Sequence, residues 1–133
     1  MKQLIGKWSS AEKQQEYVET YKKALQTMPE AESIRIKTSF GTVQGYCWNN
    51  KQAKNKSPIL LFPGKASGTP MWYANITDLY KNRTVYAFDA LGDVGLSEQE
   101  SPIKNSSDQA KFLKVYFINS STSVPLKLGR IKN

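Results

Sequence analysis

Apolar residues recur at three- and four-residue intervals near the start of the chain: Tyr17, Val18, Tyr21, Leu25 and Met28 fall on one stripe of a helix. Ser9 with Glu12 reads as a capping box opening that helix, and Pro29 stops it. Its other face mixes Glu12, Glu16 and Glu19 with Lys13, Lys22 and Lys23, a pattern that suits packing on a core better than lying on a membrane. The period then drops to two. Ile34 and Ile36 alternate with polar neighbours over Glu32–Thr38, and a turn at Ser39-Phe40-Gly41 leads into Thr42–Trp48, so a hairpin is expected.

Asn49–Ser57, with Lys51, Lys54 and Lys56 among polar residues, reads as an exposed loop. Pro58-Ile59-Leu60-Leu61-Phe62 is a continuous apolar run between prolines, which predicts a strand covered on both faces in a parallel sheet. It delivers the chain into Pro63–Gly68. Thr69 is then expected to cap, and Pro70 to open, a helix whose Trp72, Ile76 and Leu79 share a face. A second buried strand over Arg83–Asp89 and a loop over Ala90–Lys104 complete a βαβ unit. Ser106 with Gln109 predicts one more helix, carrying Phe112 and Leu113. Beyond it Tyr116-Phe117-Ile118 is β-prone and Asn119–Ser123 is polar and of low complexity.

Charge changes this picture little. The net +8 resolves into 14 basic against 11 acidic side chains up to residue 108, then five basic and no acidic ones over 109–133. Lys111, Lys114, Lys127, Arg130 and Lys132 are scattered and lack an aromatic stacking pattern, so a basic tail is expected rather than a nucleic-acid site. No apolar run is long enough for a bilayer and the first residues lack a secretory h-region, which makes the cytoplasm the expected compartment. Cys47, the single cysteine, reads as a buried structural thiol. The 133 residues contain no histidine, which removes the commonest general base and the commonest zinc ligand together. Neither a metal site nor a cofactor is expected.

Two stretches resemble the α/β-hydrolase superfamily, in particular its carboxylesterase-like members. Leu60-Leu61-Phe62-Pro63-Gly64 running on to Trp72 is similar to the family's strand ending in His-Gly, followed by a loop and a helix with Met-Trp. Asp89-Ala90-Leu91-Gly92-Asp93-Val94-Gly95-Leu96-Ser97 is similar to the loop after the next strand, with one residue more between its glycines than the commonest form. The resemblance spans about residues 8 to 113. It implies an α/β fold: the N-terminal half of an α/β-hydrolase, a hairpin plus βαβ unit in a mixed sheet with an extra N-terminal helix. On that resemblance residues 1–113 are expected to form a partial hydrolase domain and 114–133 an unrelated basic tail. In the family a backbone N–H just after the His-Gly step helps to form the oxyanion hole. That group maps to Lys65, so Pro63, Gly64 and Lys65 stand as a vestigial oxyanion loop with proline in place of the histidine. Asp89, Gly92, Gly95 and Ser97 stand as a structural loop motif.

Serine hydrolysis needs a hydroxyl on a tight strand-to-helix turn, a base and an orienting carboxylate. No Gly-x-Ser-x-Gly occurs, and the one Gly-x-Ser is Gly95-Leu96-Ser97. No catalytic residue is therefore assigned. The leading expectation is a truncated or frameshifted carboxylesterase-like chain without hydrolase activity of its own. In the family's sheet the Pro58–Phe62 strand sits centrally; without the nucleophile-bearing strand it becomes an edge, and self-association and poor solubility are expected. No other partner is evident. Three alternatives stay open: a small interaction protein built on a partial hydrolase sheet, an anion site at Gly64–Thr69, and an unconventional hydrolase pairing a lysine base with Ser67 or Ser97. The anion site departs from the Walker pattern at Ile59 and Ala66.

Overall fold

A computed structural model describes residues 8–111. The first helix, α1, is Ala11–Gln26. Its N-cap is Ser10, not the expected Ser9: the Ser10 side chain accepts from the Lys13 N–H at 3.1 Å. The capping-box spacing misleads because Ser9 and Ser10 are adjacent and only the backbone direction decides which hydroxyl reaches the first turn.

The hairpin pairs β1 (Glu32–Thr38) with β2 (Gly41–Trp48), antiparallel, from Glu32 opposite Cys47 to Thr38 opposite Gly41. After a one-turn 3₁₀ helix at Lys51–Ala53 come β3 (Ile59–Leu61), a second 3₁₀ turn at Thr69–Trp72, α2 (Ile76–Tyr80) and β4 (Val85–Phe88). The single helix expected from Thr69 is thus two short pieces. Gly68 stands at the N-cap of the first, and Thr69 is engaged elsewhere. A two-residue strand, β5 (Glu98–Gln99), lies inside what reads as loop. A last helix runs through 106–111, and its start is capped by Asn105 Oδ1, which accepts from the Asp108 N–H at 2.9 Å, rather than by the expected Ser106. Phe112, Leu113 and the basic tail lie outside the described residues.

The sheet is mixed, in the order β1-β2-β4-β3. β4 runs antiparallel to β2 and parallel to β3, as the βαβ pattern requires. β2 carries β1 along one side and divides the other: Gly45–Trp48 pair with β4, and Gly41 and Thr42 pair with β5. β3 is the last strand in the order and is half-buried throughout, not covered on both faces as the apolar run suggests. β4, flanked on both sides, is fully buried.

Alternation distributes the side chains to two cores, one on each face of the sheet. One face gathers Ile34, Ile36, Val43, Cys47, Tyr86 and Phe88, with Phe40, Leu60 and Ile103 packed against them. Gly45 leaves room there for the Phe88 ring, since a Cβ would lie 2.7 Å from Phe88 Cδ1. The other face gathers Tyr46, Trp48, Val85 and Ala87 beneath the two helices, which contribute Tyr21, Leu25 and Ile76. A run of tilted rings, Trp8, Tyr17, Tyr21, Tyr46 and Trp48, at successive centroid spacings of 5.0, 6.0, 6.5 and 6.2 Å, seats α1 on the sheet. No helix among the described residues is long and apolar enough to cross a membrane.

Candidate functional site

Because β3 and β4 are parallel, their carboxyl ends lie on the same side of the sheet, the side on which open α/β sheets place their ligand sites. The loops leaving those ends are the two segments singled out by sequence. They are laced together by one buried carboxylate.

Asp89, the first residue after β4, has no exposed surface. Its Oδ1 accepts from the Thr69 N–H at 2.7 Å and from the Thr69 hydroxyl at 2.8 Å. Its Oδ2 accepts from the Tyr21 hydroxyl at 2.7 Å and from the Leu96 N–H at 2.7 Å. Four donors on one carboxylate compensate the loss of water around a buried charge. Tyr21 and Tyr46 are hydrogen-bonded at 2.9 Å; Tyr21 has one proton, already given to Asp89, so Tyr46 supplies the proton of that second bond. Burial, then the Asp89 charge, push the Tyr21 phenol far above its ordinary range, so it stays a donor. Gly95 belongs here for a steric reason: its φ is +125° and a Cβ would fall 2.7 Å from the Asp89 carboxylate.

Ser97 has an equally specific place. At Gln44 the second side of β2 passes from β4 to β5, which would leave a backbone N–H without a ladder partner. Ser97 Oγ accepts from the Gln44 N–H at 2.9 Å and donates to the Asp89 carbonyl at 2.8 Å, closing that gap. Asp89 N–H in turn donates to the Gln44 carbonyl at 2.9 Å. Gly92 adopts a φ of +80° beside the Gln99 side chain.

The loop after β3 is open to solvent. Pro63 is half-buried, and Gly64 and Lys65 are exposed. Gly64 N–H donates to Met71 Sδ at 3.2 Å, and the turn is closed by Ser67 N–H donating to the Gly64 carbonyl at 3.2 Å. Ala66 holds a left-handed φ of 59°, and its N–H donates to Asp93 Oδ2 at 2.9 Å. The Lys65 N–H donates to no other described residue. The structure therefore brings the two predicted segments together through Thr69–Asp89 and Ala66–Asp93.

Thr69, Tyr21, Tyr46 and Asp93 are the members of this site that sequence reasoning missed. Thr69 looks like a helix cap because Pro70 follows it, and Tyr21 looks like one more apolar position of α1; in each case the hydroxyl is used across the fold. Cys47 is 4% exposed, and burial pushes its thiol up to about 11, which leaves it an inert core group. No cluster of three potential metal ligands occurs among the described residues. An open groove of about 550 Å³ lies between α1 and residues 92–99, lined by Trp8, Val18, Lys22, Arg35 and Asp93 among others. Its charges are of both signs, and Arg35 is already held by Gln44 Oε1 at 2.8 Å and by Glu98 at 3.7 Å.

No family model matches the chain. Individual proteins do. The chain is 30% identical over 118 residues to the protein described as uncharacterized carboxylesterase nap of Bacillus subtilis (strain 168), a match covering 85% of this chain and 38% of the relative. Over a shorter stretch of 38 residues, 29% of this chain, it is 50% identical to the human 1-acylglycerol-3-phosphate O-acyltransferase ABHD5, and it spans 11% of that protein. Among solved structures, carboxylesterase CesB (YbfK) from Bacillus subtilis superposes with a TM-score of 0.72 at 28% identity, over 81% of this chain and 37% of that one. Naproxen esterase (carboxylesterase NP) from the same organism gives 0.70 at 31% identity, over 77% of this chain and 35% of the other. The chain thus spans less than two-fifths of the carboxylesterases it matches. Strand order, the paired loops and these likenesses agree: this chain carries the amino-terminal portion of a carboxylesterase-like α/β-hydrolase fold.

Proposed function

We propose that this chain, as a polypeptide by itself, is not a hydrolase but the front part of a carboxylesterase-like architecture without its reactive machinery. The observation that carries the reading is the position of Ser97. It is the serine of the one Gly-x-Ser in the sequence, and its hydroxyl both accepts from the Gln44 N–H of β2 and donates to the carbonyl of Asp89, just past β4. A nucleophile needs a base to take its proton, and Ser97 instead gives that proton to Asp89 O. The absence of histidine from the 133 residues supports the same reading, as does the absence of any Gly-x-Ser-x-Gly.

On this reading Pro63-Gly64-Lys65 is the remnant of an oxyanion loop. The Lys65 N–H is its one candidate donor, and Asp89, Gly92, Gly95 and Ser97 form the frame that holds the neighbouring loop. The names of the relatives point to carboxylic esters as the substrate class of the parent architecture. A single isolated donor supplies little: removing triad members from a complete serine hydrolase leaves only what binding and a full oxyanion hole provide. The test is to expose the purified chain to short-chain p-nitrophenyl esters and to a fluorophosphonate probe. Neither saturable turnover nor covalent labelling is expected. Labelling that Ser97→Ala removes while the fold stays intact would overturn the proposal.

A further inference from the structure

The loop leaving β3 turns once, over residues 64–67. The Ser67 N–H donates to the Gly64 carbonyl at 3.2 Å, which makes this a four-residue β-turn with Lys65 and Ala66 at its centre. Ala66, at a φ of 59°, is the one non-glycine with a positive φ among the described residues, so Lys65 before it has a negative one. A negative φ followed by a positive one defines a type II turn, whose second central position ordinarily calls for glycine or asparagine. Alanine there brings its Cβ against the following carbonyl oxygen. A type I turn would close the same four residues with both central φ values negative and no such crowding. The two forms differ chiefly in one peptide unit, Lys65–Ala66, which rotates by about half a turn between them and so exchanges the faces shown by the Lys65 carbonyl and the Ala66 N–H.

A contact from outside the turn favours the costlier form. The Ala66 N–H donates to Asp93 Oδ2 at 2.9 Å, and a bond to a carboxylate is stronger than one between neutral groups. The carboxylate is itself aimed, because Asp93 Oδ1 accepts from the Val94 N–H at 2.8 Å. In the type I form the Lys65 carbonyl would face the same carboxylate, acceptor against acceptor. The frame around this contact is held separately. Buried Asp89 fixes the loop carrying Asp93 at Leu96 and the chain just beyond the turn at Thr69. Half-buried Asp93 therefore acts on an exposed turn whose two flanks are already in place.

We infer that Asp93 sets the direction of the Lys65–Ala66 peptide: it holds the turn after β3 in the type II form, and without that carboxylate the peptide turns over. The device is a two-state switch in a single peptide unit, mounted on a frame that keeps its shape. It decides whether the tip of this loop presents an N–H or a C=O to the loop after β4. The inference goes beyond the absence of hydrolase activity and stands whether or not the Lys65 N–H is an oxyanion donor.

Nuclear Overhauser contacts in the full chain distinguish the two forms. In a type II turn the Lys65 Hα lies against the Ala66 amide proton; in a type I turn the Lys65 and Ala66 amide protons lie against each other. The unsubstituted chain is expected to show the first contact. Asp93→Ala should replace it with the second and speed amide exchange at Ala66 at least about tenfold, while the Thr69 and Leu96 amides stay as protected as before. Adding Ala66→Gly to Asp93→Ala should bring the first contact back, since glycine takes a positive φ without help. A carboxylate that merely tied the two loops together would instead loosen Thr69 and Leu96, and glycine at 66 would not compensate for its loss. Persistence of the type II contact in Asp93→Ala, failure of Ala66→Gly to restore it, or lost protection at Thr69 or Leu96, unfolding of the variant included, would overturn the inference.

Discussion

Asp89 concentrates more structure than any other described residue. A carboxylate there satisfies donors from α1, from the turn at Thr69 and from the loop at Leu96 without any donor of its own. Asp89→Asn keeps the volume but places an NH₂ group where only acceptors fit, so two N–H or O–H donors would face another donor. The expected cost is about 2–4 kcal/mol, read as a lower urea midpoint at unchanged m-value. Its importance was legible only in part. Asp, the spaced glycines and Ser97 mark a loop of defined geometry, since glycine is what a φ of +125° or +80° calls for. The donors could not be read off, because Tyr21 and Thr69 are 68 and 20 residues away in sequence and each fits a local role just as well.

At the scale of elements, periodicity located α1, the hairpin and the βαβ unit to within a few residues, because burial of one face imposes a period of 3.6 or 2 wherever an element is amphipathic. Caps were less legible. Ser10→Ala is expected to cost about 1 kcal/mol, whereas Ser9→Ala should leave stability within about 0.5 kcal/mol, a contrast measurable by thermal denaturation of the two variants side by side. The helix expected from Thr69 breaks in two because Thr69 is drawn to Asp89 and a 3₁₀ turn fits the short span better than a full α turn. β5 has no apolar signal at all. It forms because Phe40 and Gly41 present backbone groups, with the Phe40 carbonyl accepting from the Glu100 and Ser101 N–H groups at 2.8 and 3.1 Å.

For the whole molecule, the two cores place neutral ionisable groups in apolar surroundings, and this sets an alkaline limit. Burial pushes Tyr17 up to about 12 and Cys47 up to about 11, and raises Tyr21, Tyr46 and Tyr86 further. Each is neutral when folded, with a folded pKa above that of the unfolded chain. The stabilisation is therefore complete below the ordinary values of 9.0 for cysteine and 10.0 for tyrosine, and is lost as pH climbs through 11 and 12. Urea midpoints should be level from pH 7 to about 9 and then fall steadily, with the phenolate signal of Tyr17, Tyr21, Tyr46 and Tyr86 appearing together with unfolding rather than before it. A native chain whose tyrosines all titrate near 10 would contradict the two-core packing.

By itself the sequence determined the alternation of strands and helices, the two glycine-bearing loops and the lack of any histidine, since these follow from local period, backbone freedom and composition, while the mixed sheet was implied by the family resemblance. The tertiary structure alone decided that one carboxylate ties α1 to both loops and that Ser97 closes a gap in the β2 ladder. Those are pairings between residues far apart along the chain. Hydrogen-bond partners of that kind are chosen by which surfaces pack together, and packing is a property of the folded whole.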